Sequence, residues 1–388
     1  MRIAIFTDSF LPQINGVVTS IIDMSKGLAD KGHEIYVIAP KYDGVNEFIY
    51  NNVQVKRVPS ISAGFYEDFK FTSQFSLKIL KYLRKEKIEL IHFHTPITLG
   101  AQAIILSRLL KVPLIGTFHT FITDPNYLKH IKLNSRIIQR LSWAYVRIYY
   151  NKCDLITCPS NITRQELILN GFKKNIKVVP NGINIKLFNN SNWKEVKKKY
   201  NNDGEIILFV GRIAYEKNIN YLLDCFSMVL KKMPRTKLLI IGDGPQMNEL
   251  KSKINSLKLL SSVILLGKME HCDFVKSSIF KACKIFVTAS VTETQGIALL
   301  EAQANGLPAV GINARGTKEL IKNSYNGYIV DYGDKRLFAN RMMALLSNKK
   351  KYNRMSKNSV KVAKKYEIEN IISDWEDIYL DLIKNEKN

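Results

Sequence analysis

The chain reads as an α/β protein built from two doubly wound, parallel-sheet, Rossmann-like domains. Three observations lead there. Short apolar runs alternate with stretches of helical period through the first half. Near residue 206 the pattern restarts with the same opening unit of strand, glycine-containing loop and helix. The length, 388 residues, exceeds what one ordinary core supports.

The elements follow in order. Residues 3–7 form a strand, 17–31 a helix, and 34–39 a strand introduced by the Gly32-His33 turn. Strands at 53–58, 90–93, 113–117 and 155–158 are separated by helices at 77–87 and 100–110. After the restart, strands fall at 206–210, 237–241 and 263–266, with helices at 219–232, 247–257 and 274–281. The strand 284–290 ends in small residues and feeds a loop and a helix. Asn305-Gly-Leu-Pro-Ala-Val-Gly311 then reads as a turn and a short buried strand. The linker falls near residues 180–184. The expected domains are 1–182 and 183–365. A last helix over 368–384, carrying Trp375 and Tyr379, brings 366–388 back onto the first.

Composition narrows the classes. A hydrophobic fraction of 46% suits a globular protein. The five cysteines are few and scattered, which reads as reduced thiols in a cytosolic protein without a zinc site. Met1-Arg-Ile-Ala-Ile-Phe6 enters a strand directly and is read as carrying no signal peptide. No apolar run reaches membrane-spanning length. The net charge of +24 is spread over both halves and admits nucleic acid, anionic lipid or an anionic substrate. A nucleic-acid reading has no single basic groove or recognition motif behind it.

Two strand ends of the second half carry the chemistry. Glu293-Thr-Gln-Gly-Ile-Ala-Leu-Leu-Glu301 puts one carboxylate in a loop and a second inside the following helix. Gly296 and Ile297 fall at that helix's N-terminus, where unpaired N–H groups and the helix dipole favour a phosphate. Carboxylates beside it can accept sugar hydroxyls. Phe209-Val-Gly-Arg-Ile-Ala-Tyr-Glu-Lys217 adds Arg212 and Lys217 after another strand. Such cations suit a leaving diphosphate, arginine as a fixed fork and lysine as a point charge. Gly242-Asp-Gly244 ends a third strand and could border the base or ribose. In the first half, Gly16 opens the first helix and would let backbone approach phosphate. His119 follows the strand at 113–117 and should face the cleft between domains. His92 and His94 alternate along a strand end and are not read as metal ligands.

These motifs, in this order and over nearly the whole chain, resemble the retaining glycosyltransferases of glycosyltransferase family 4. Those that carry the resemblance are the N-terminal glycine loop, Phe118-His119-Thr120, Pro180-Asn-Gly182, Gly211-Arg212…Lys217, Gly242-Asp-Gly-Pro245 and Glu293…Glu301. The resemblance implies a GT-B fold, two Rossmann-like domains facing across a cleft, with the donor held mainly by the second. It gives Glu293 and the Gly296-Ile297 backbone to the donor sugar. Glu301 goes to the ribose, Arg212 and Lys217 to the diphosphate, and His119 to the sugar. It implies front-face attack within an ion pair and no bound catalytic metal or cofactor. Any stimulation by Mg2+ would involve no dedicated site. Asn184 departs from the family, where Asp is commoner.

The acceptor needs a further signal. Residues 127–152 carry Lys129, Lys132, Arg136, Arg140, Arg147 and Lys152 with no acidic residue. Ile131, Ile137, Ile138, Leu141, Ala144, Tyr145 and Ile148 fall near helical spacing, with Trp143 among them. This composition suits an amphipathic helix lying on an anionic bilayer. An aromatic-rich loop at 62–75 is a second candidate. The opening, charge and length resemble the bacterial 1,2-diacylglycerol 3-glycosyltransferases of the same family. The expectation is therefore a peripheral enzyme on the cytoplasmic membrane face. It would move glucose or galactose from a UDP-sugar to the 3-hydroxyl of 1,2-diacylglycerol. The rival is a family 4 enzyme acting on a lipopolysaccharide core or another glycan.

Overall fold

The computed structural model describes residues 1–42, 48–62, 70–128, 135–188 and 191–387. The chain divides into two compact units, Met1–Gly182 with Ile368–Asn388, and Ile183–Glu367.

Unit one carries strands β1 (Arg2–Phe6), β2 (Glu34–Pro40), β3 (Val53–Val58), β4 (Ser60–Ser62), β5 (Lys70–Thr72), β6 (Leu90–Phe93), β7 (Leu114–Thr117), β8 (Leu155–Cys158) and β9 (Ile176–Val178). Seven of them form a parallel sheet in the order β3-β2-β1-β6-β7-β8-β9, while β4 and β5 pair as an antiparallel hairpin. The helices are α1 (Gly16–Asp30), α2 (Leu77–Lys85), α3 (Thr98–Leu110), α4 (Pro125–Leu128), α5 (Arg136–Tyr150) and α6 (Asn161–Leu169).

Strand side chains alternate between faces, and both faces are buried. Ile3 and Ile5 of β1 face one core with Ile21, Met24 and Leu28 of α1. Ala4 and Phe6 face the other with Leu99, Phe118, Val146 and Tyr150. Local capping agrees with the element starts. The Asn15 side chain accepts from Val17 and Val18 N–H, and Ser160 accepts from Thr163 N–H.

Unit two carries α7 (Trp193–Asn201), β10 (Ile206–Val210), α8 (Ile219–Leu230), β11 (Lys237–Ile241), α9 (Met247–Ser256), β12 (Val263–Gly267), α10 (His271–Lys276), α11 (Ile279–Ala282), β13 (Ile285–Thr288), α12 (Ile297–Ala304), β14 (Ala309–Ile312), α13 (Arg315–Leu320), β15 (Gly327–Val330), α14 (Lys335–Ser347) and α15 (Lys349–Ala363). Its six strands run parallel in the order β12-β11-β10-β13-β14-β15. Ile207 and Phe209 face one core and Ile206 and Leu208 the other. The last helix, α16 (Ile368–Lys387), lies in unit one. There Ile371, Ile372, Trp375, Ile378 and Tyr379 pack into the core that α1 covers.

Two sequence expectations are corrected. The helix over 274–281 is two short helices, α10 and α11, parted at Ser278, whose φ of 58° is left-handed. Phe274 and Phe280 then meet with ring centroids 4.5 Å apart and planes tilted by 47°, a contact that one continuous helix would not make in this form. The segment 127–152 is not one helix either. α4 ends at Leu128, Ser135 caps α5, and Lys129 and Lys132 lie outside the described residues. Residues 63–69 of the aromatic-rich loop lie outside them as well.

Candidate functional site

In unit two, β10 lies between β11 and β13. The chain leaves β10 toward β11 and later returns to β10's other side as β13. Strand order therefore reverses between β10 and β13, and open α/β sheets admit ligands at the carboxyl ends of such strands. The loop after β10 carries Arg212, Glu216 and Lys217. The loop after β13 carries Glu293 and feeds α12.

Two contacts join these loops. Lys217 Nζ makes a short ion pair with Glu293 Oε1, each side chain keeping 22% of its surface. Asn218, left-handed at φ 49°, donates from Nδ2 to the Ala289 carbonyl at 3.1 Å. Burial by itself disfavours the Lys217 ammonium, but Glu293 and Glu216 outweigh it and hold the pKa above the usual value. Burial lowers the Arg212 pKa against the opposing pull of Glu216. The guanidinium stays protonated all the same. Both cations are thus partly withdrawn from water, where interaction with a dianion is stronger than on an open surface.

The glycine at 242 has a packing reason. At φ 140° it crosses the β10 loop, and an added Cβ would lie 1.9 Å from the Gly211 carbonyl oxygen. Ile213 N–H also donates to the Asp243 carbonyl at 2.9 Å. These contacts hold the loop that presents Arg212. At α12 the N-cap is Gly296, left-handed at φ 99°, which has no side chain of its own to cap the first turn. Helix N–H groups thus begin at Ile297, as the sequence suggested. Glu301, one turn in, is 5% exposed. Its Oε1 lies 2.6 Å from His271 Nε2. Gly316 N–H donates to the Glu293 carbonyl at 2.9 Å, and Arg315 Nη1 to the Val291 carbonyl at 3.3 Å.

Arg212, Lys217, Gly242, Glu293, Gly296, Ile297 and Glu301 thus share the carboxyl edge of one sheet. Sequence reasoning passed over His271, Glu216, Asn218 and Arg315. Only Glu216 carried a signal, its position inside the Arg212…Lys217 motif.

Gly16 and His119 belong to unit one. Gly16 is the exposed first residue of α1. His119 follows β7 and stacks on His94 at 5.0 Å between centroids, and His94 lies 4.1 Å from His92. His94 Nδ1 and His119 Nε2 are 2.7 Å apart. His92 bonds Tyr379 Oη of α16 at 2.7 Å and Thr117 Oγ1 at 2.6 Å. Burial lowers all three pKa values, that of His119 to about 4.

On α5, Ile137, Leu141, Tyr145 and Ile148 are exposed, and Arg136 and Arg140 stand exposed beside them. Trp143 departs from the lipid-facing expectation. Its ring is half-buried against Phe118, Phe121 and Phe172. Arg147 likewise turns to the chain, donating to the Asn170 carbonyl at 3.1 Å. Among the described residues, no helix is long and apolar enough to cross a membrane.

Two parallel-sheet Rossmann-like units, one with cations and carboxylates at its switch point, define the GT-B class of glycosyltransferase. Residues 14–187 match the description Glycosyltransferase Family 4, and 191–362 match Glycosyl transferases group 1. Alpha-monoglucosyldiacylglycerol synthase of Streptococcus pneumoniae is 33% identical over 354 residues, covering 89% of this chain and 79% of that protein. The enzyme of the same name from Acholeplasma laidlawii is 29% identical, covering 100% of this chain and 99% of its own. The chain belongs to glycosyltransferase family 4 and is a hexosyltransferase. Among solved structures, Anabaena HepE with UDP-glucose superposes with a TM-score of 0.79 at 18% identity, covering 98% of this chain and 100% of that one. Sucrose-phosphate synthase from Thermosynechococcus elongatus gives 0.79 at 17%, covering 99% of each.

The histidine ladder predicts acid sensitivity. A buried histidine with a lowered native pKa is protonated first in the unfolded chain as pH falls. Its contribution is therefore harmless above the ordinary value of 6.5 and increasingly destabilising down to about 4. His119 should thus cost the fold progressively more stability as pH falls from 6.5 toward about 4. Urea unfolding followed by tryptophan fluorescence should show a smaller loss between about pH 7 and pH 5 in His119→Gln than in the parent.

Proposed function

We propose that this enzyme transfers glucose from UDP-glucose to the 3-hydroxyl of 1,2-diacylglycerol with retention of the α-configuration. The observation that carries the donor half is the set of Arg212, Lys217 and Glu293 at the β10/β13 switch point, with Glu301 behind it. The acceptor half is supported by the two relatives whose names specify monoglucosyldiacylglycerol. HepE, bound to UDP-glucose on the same fold, agrees with the choice of donor.

The residues suggest how the reaction runs. The diphosphate takes the remaining donor capacity of Lys217 beside Glu293, and Arg212 provides a second cation. Glu293 accepts hydroxyls of the glucose through its remaining lone pairs, while the N-terminus of α12 presents N–H groups at Gly296 and Ile297. As the glycosidic bond breaks, negative charge grows on the departing diphosphate, where the two cations stabilise it. The 3-hydroxyl attacks on the same face, and its proton passes to the departing phosphate oxygen. His119 is assigned a neutral hydrogen-bonding role toward the sugar, because burial keeps it uncharged down to about pH 4. No dedicated metal site is invoked.

A second reading has one observation in its favour. A UDP-Gal:alpha-D-GlcNAc-diphosphoundecaprenol alpha-1,3-galactosyltransferase of Escherichia coli is 26% identical, covering 99% of this chain and 98% of its own. A lipid-linked glycan is therefore the alternative acceptor. Radiolabelled UDP-glucose and UDP-galactose, offered with vesicles carrying either acceptor, decide between them. The expected product is glucosyldiacylglycerol, with an α-type anomeric coupling by proton NMR and with turnover surviving EDTA. A β-linked product, or label only in the glycan, would refute this reading.

We further propose that α5 docks the enzyme on an anionic leaflet at the cytoplasmic membrane face. Its exposed Ile137, Leu141 and Ile148 are 70%, 63% and 59% accessible. A basic residue near such a surface contributes about 1 kcal/mol, and each buried methylene about 0.8 kcal/mol. Replacing Arg136 and Arg140 by Gln, and Leu141 by Ser, should lower sedimentation with phosphatidylglycerol vesicles at least tenfold, while UDP affinity is unchanged. Sedimentation equal to the parent's would remove α5 as the anchor.

A further inference from the structure

Glu301 is almost sealed from water, its side chain keeping 6% of its surface. An ionised carboxylate so enclosed needs a fixed hydrogen-bond donor. His271 provides one, with Nε2 2.6 Å from Oε1. That histidine comes from a different strand end. β12 closes at Gly267, and His271 is the first residue of α10. Its own side chain is 35% exposed, so the ring stands at the edge of the site while one nitrogen grips the buried acid. A glutamate side chain has several rotatable bonds, and fixing it costs rotamer freedom. A donor on Oε1 sets the carboxylate plane before any ligand arrives. An ionised carboxylate has about four lone-pair sites, so acceptor capacity remains for a vicinal diol.

We propose that His271 is a positioning residue for nucleotide recognition. It holds the Glu301 carboxylate in the orientation that accepts the 2′- and 3′-hydroxyls of the donor ribose. This rests on Glu301 being the ribose-binding residue. His271 touches no substrate in this arrangement, so its loss is felt only through the ribose hydroxyls. A residue that merely neutralised a buried acid would affect folding and all nucleotides alike.

Calorimetric titration with UDP and with 2′,3′-dideoxy-UDP separates the two roles. The parent should favour UDP by roughly ten- to a hundredfold, as expected for hydrogen bonds to a charged acceptor. His271→Ala should weaken UDP roughly tenfold and leave dideoxy-UDP unchanged. His271→Gln, whose amide can donate, should recover most of the loss. His271→Met fills the space without a donor and repeats the alanine test should that variant fold poorly. Adding His271→Ala to Glu301→Gln should change neither affinity further. The inference is overturned if the His271 variants weaken both nucleotides equally, or neither. If Glu301→Gln alone leaves the preference for UDP intact, the ribose assignment itself fails, and this inference with it.

Discussion

The Lys217–Glu293 ion pair is the contact on which the donor site depends. Unit two's sheet brings a cation-bearing loop and an acid-bearing loop to one edge, but nothing in strand pairing sets the distance between them. The ion pair and the Asn218–Ala289 hydrogen bond do so. Partly buried cations with no counter-charge would be costly. Glu216 and Glu293 serve as counter-charges, so that Arg212 and Lys217 can stand close together without ligand. Backbone packing gives the same loop its rigidity, through the close approach of Gly242 to Gly211. The site is held ready rather than assembled from side chains free to move, and this favours strong electrostatic stabilisation of a leaving group.

Most of the fold was legible because parallel sheets buried on both faces leave an unmistakable trace. Ile206–Val210 and the Leu238–Ile241 part of β11 are continuous apolar runs, and each is followed by glycine. Arg212, Lys217, Gly242 and Glu293 stood out as candidates for a related reason, since they lie in loops that follow such strands. What escaped is what local pattern does not encode. The break at Ser278 depends on Phe274 meeting Phe280, a tertiary contact. His271 is thirty residues from Glu301, and no spacing rule connects them. Trp143 had the composition of a lipid-facing residue, but Phe118, Phe121 and Phe172 gather it into the core. Composition does not tell which way that ring turns.

The basic excess also resolves into places. α15 carries Lys350, Arg354, Lys357 and Lys361 at helical spacing, opposite its buried Met355, Ser359 and Val362. Lys349, Lys350 and Lys351 occupy its first turn, where the helix dipole disfavours positive charge. Like charges three and four residues apart cost a further few tenths of a kcal/mol per pair. Together with Arg136 and Arg140 on α5, these residues place part of the basic excess on two exposed helix faces.

In the proposed reaction, unit two grips its donor by the diphosphate through Arg212 and Lys217. The most direct test of this grip is to titrate UDP and uridine against the parent and against the Arg212→Ala, Lys217→Ala double variant. The parent should favour UDP by roughly two to three orders of magnitude, since charge-assisted contacts to phosphate are the strong ones. In the double variant that preference should shrink to within about tenfold. A double variant that still favours UDP as strongly as the parent would contradict the account.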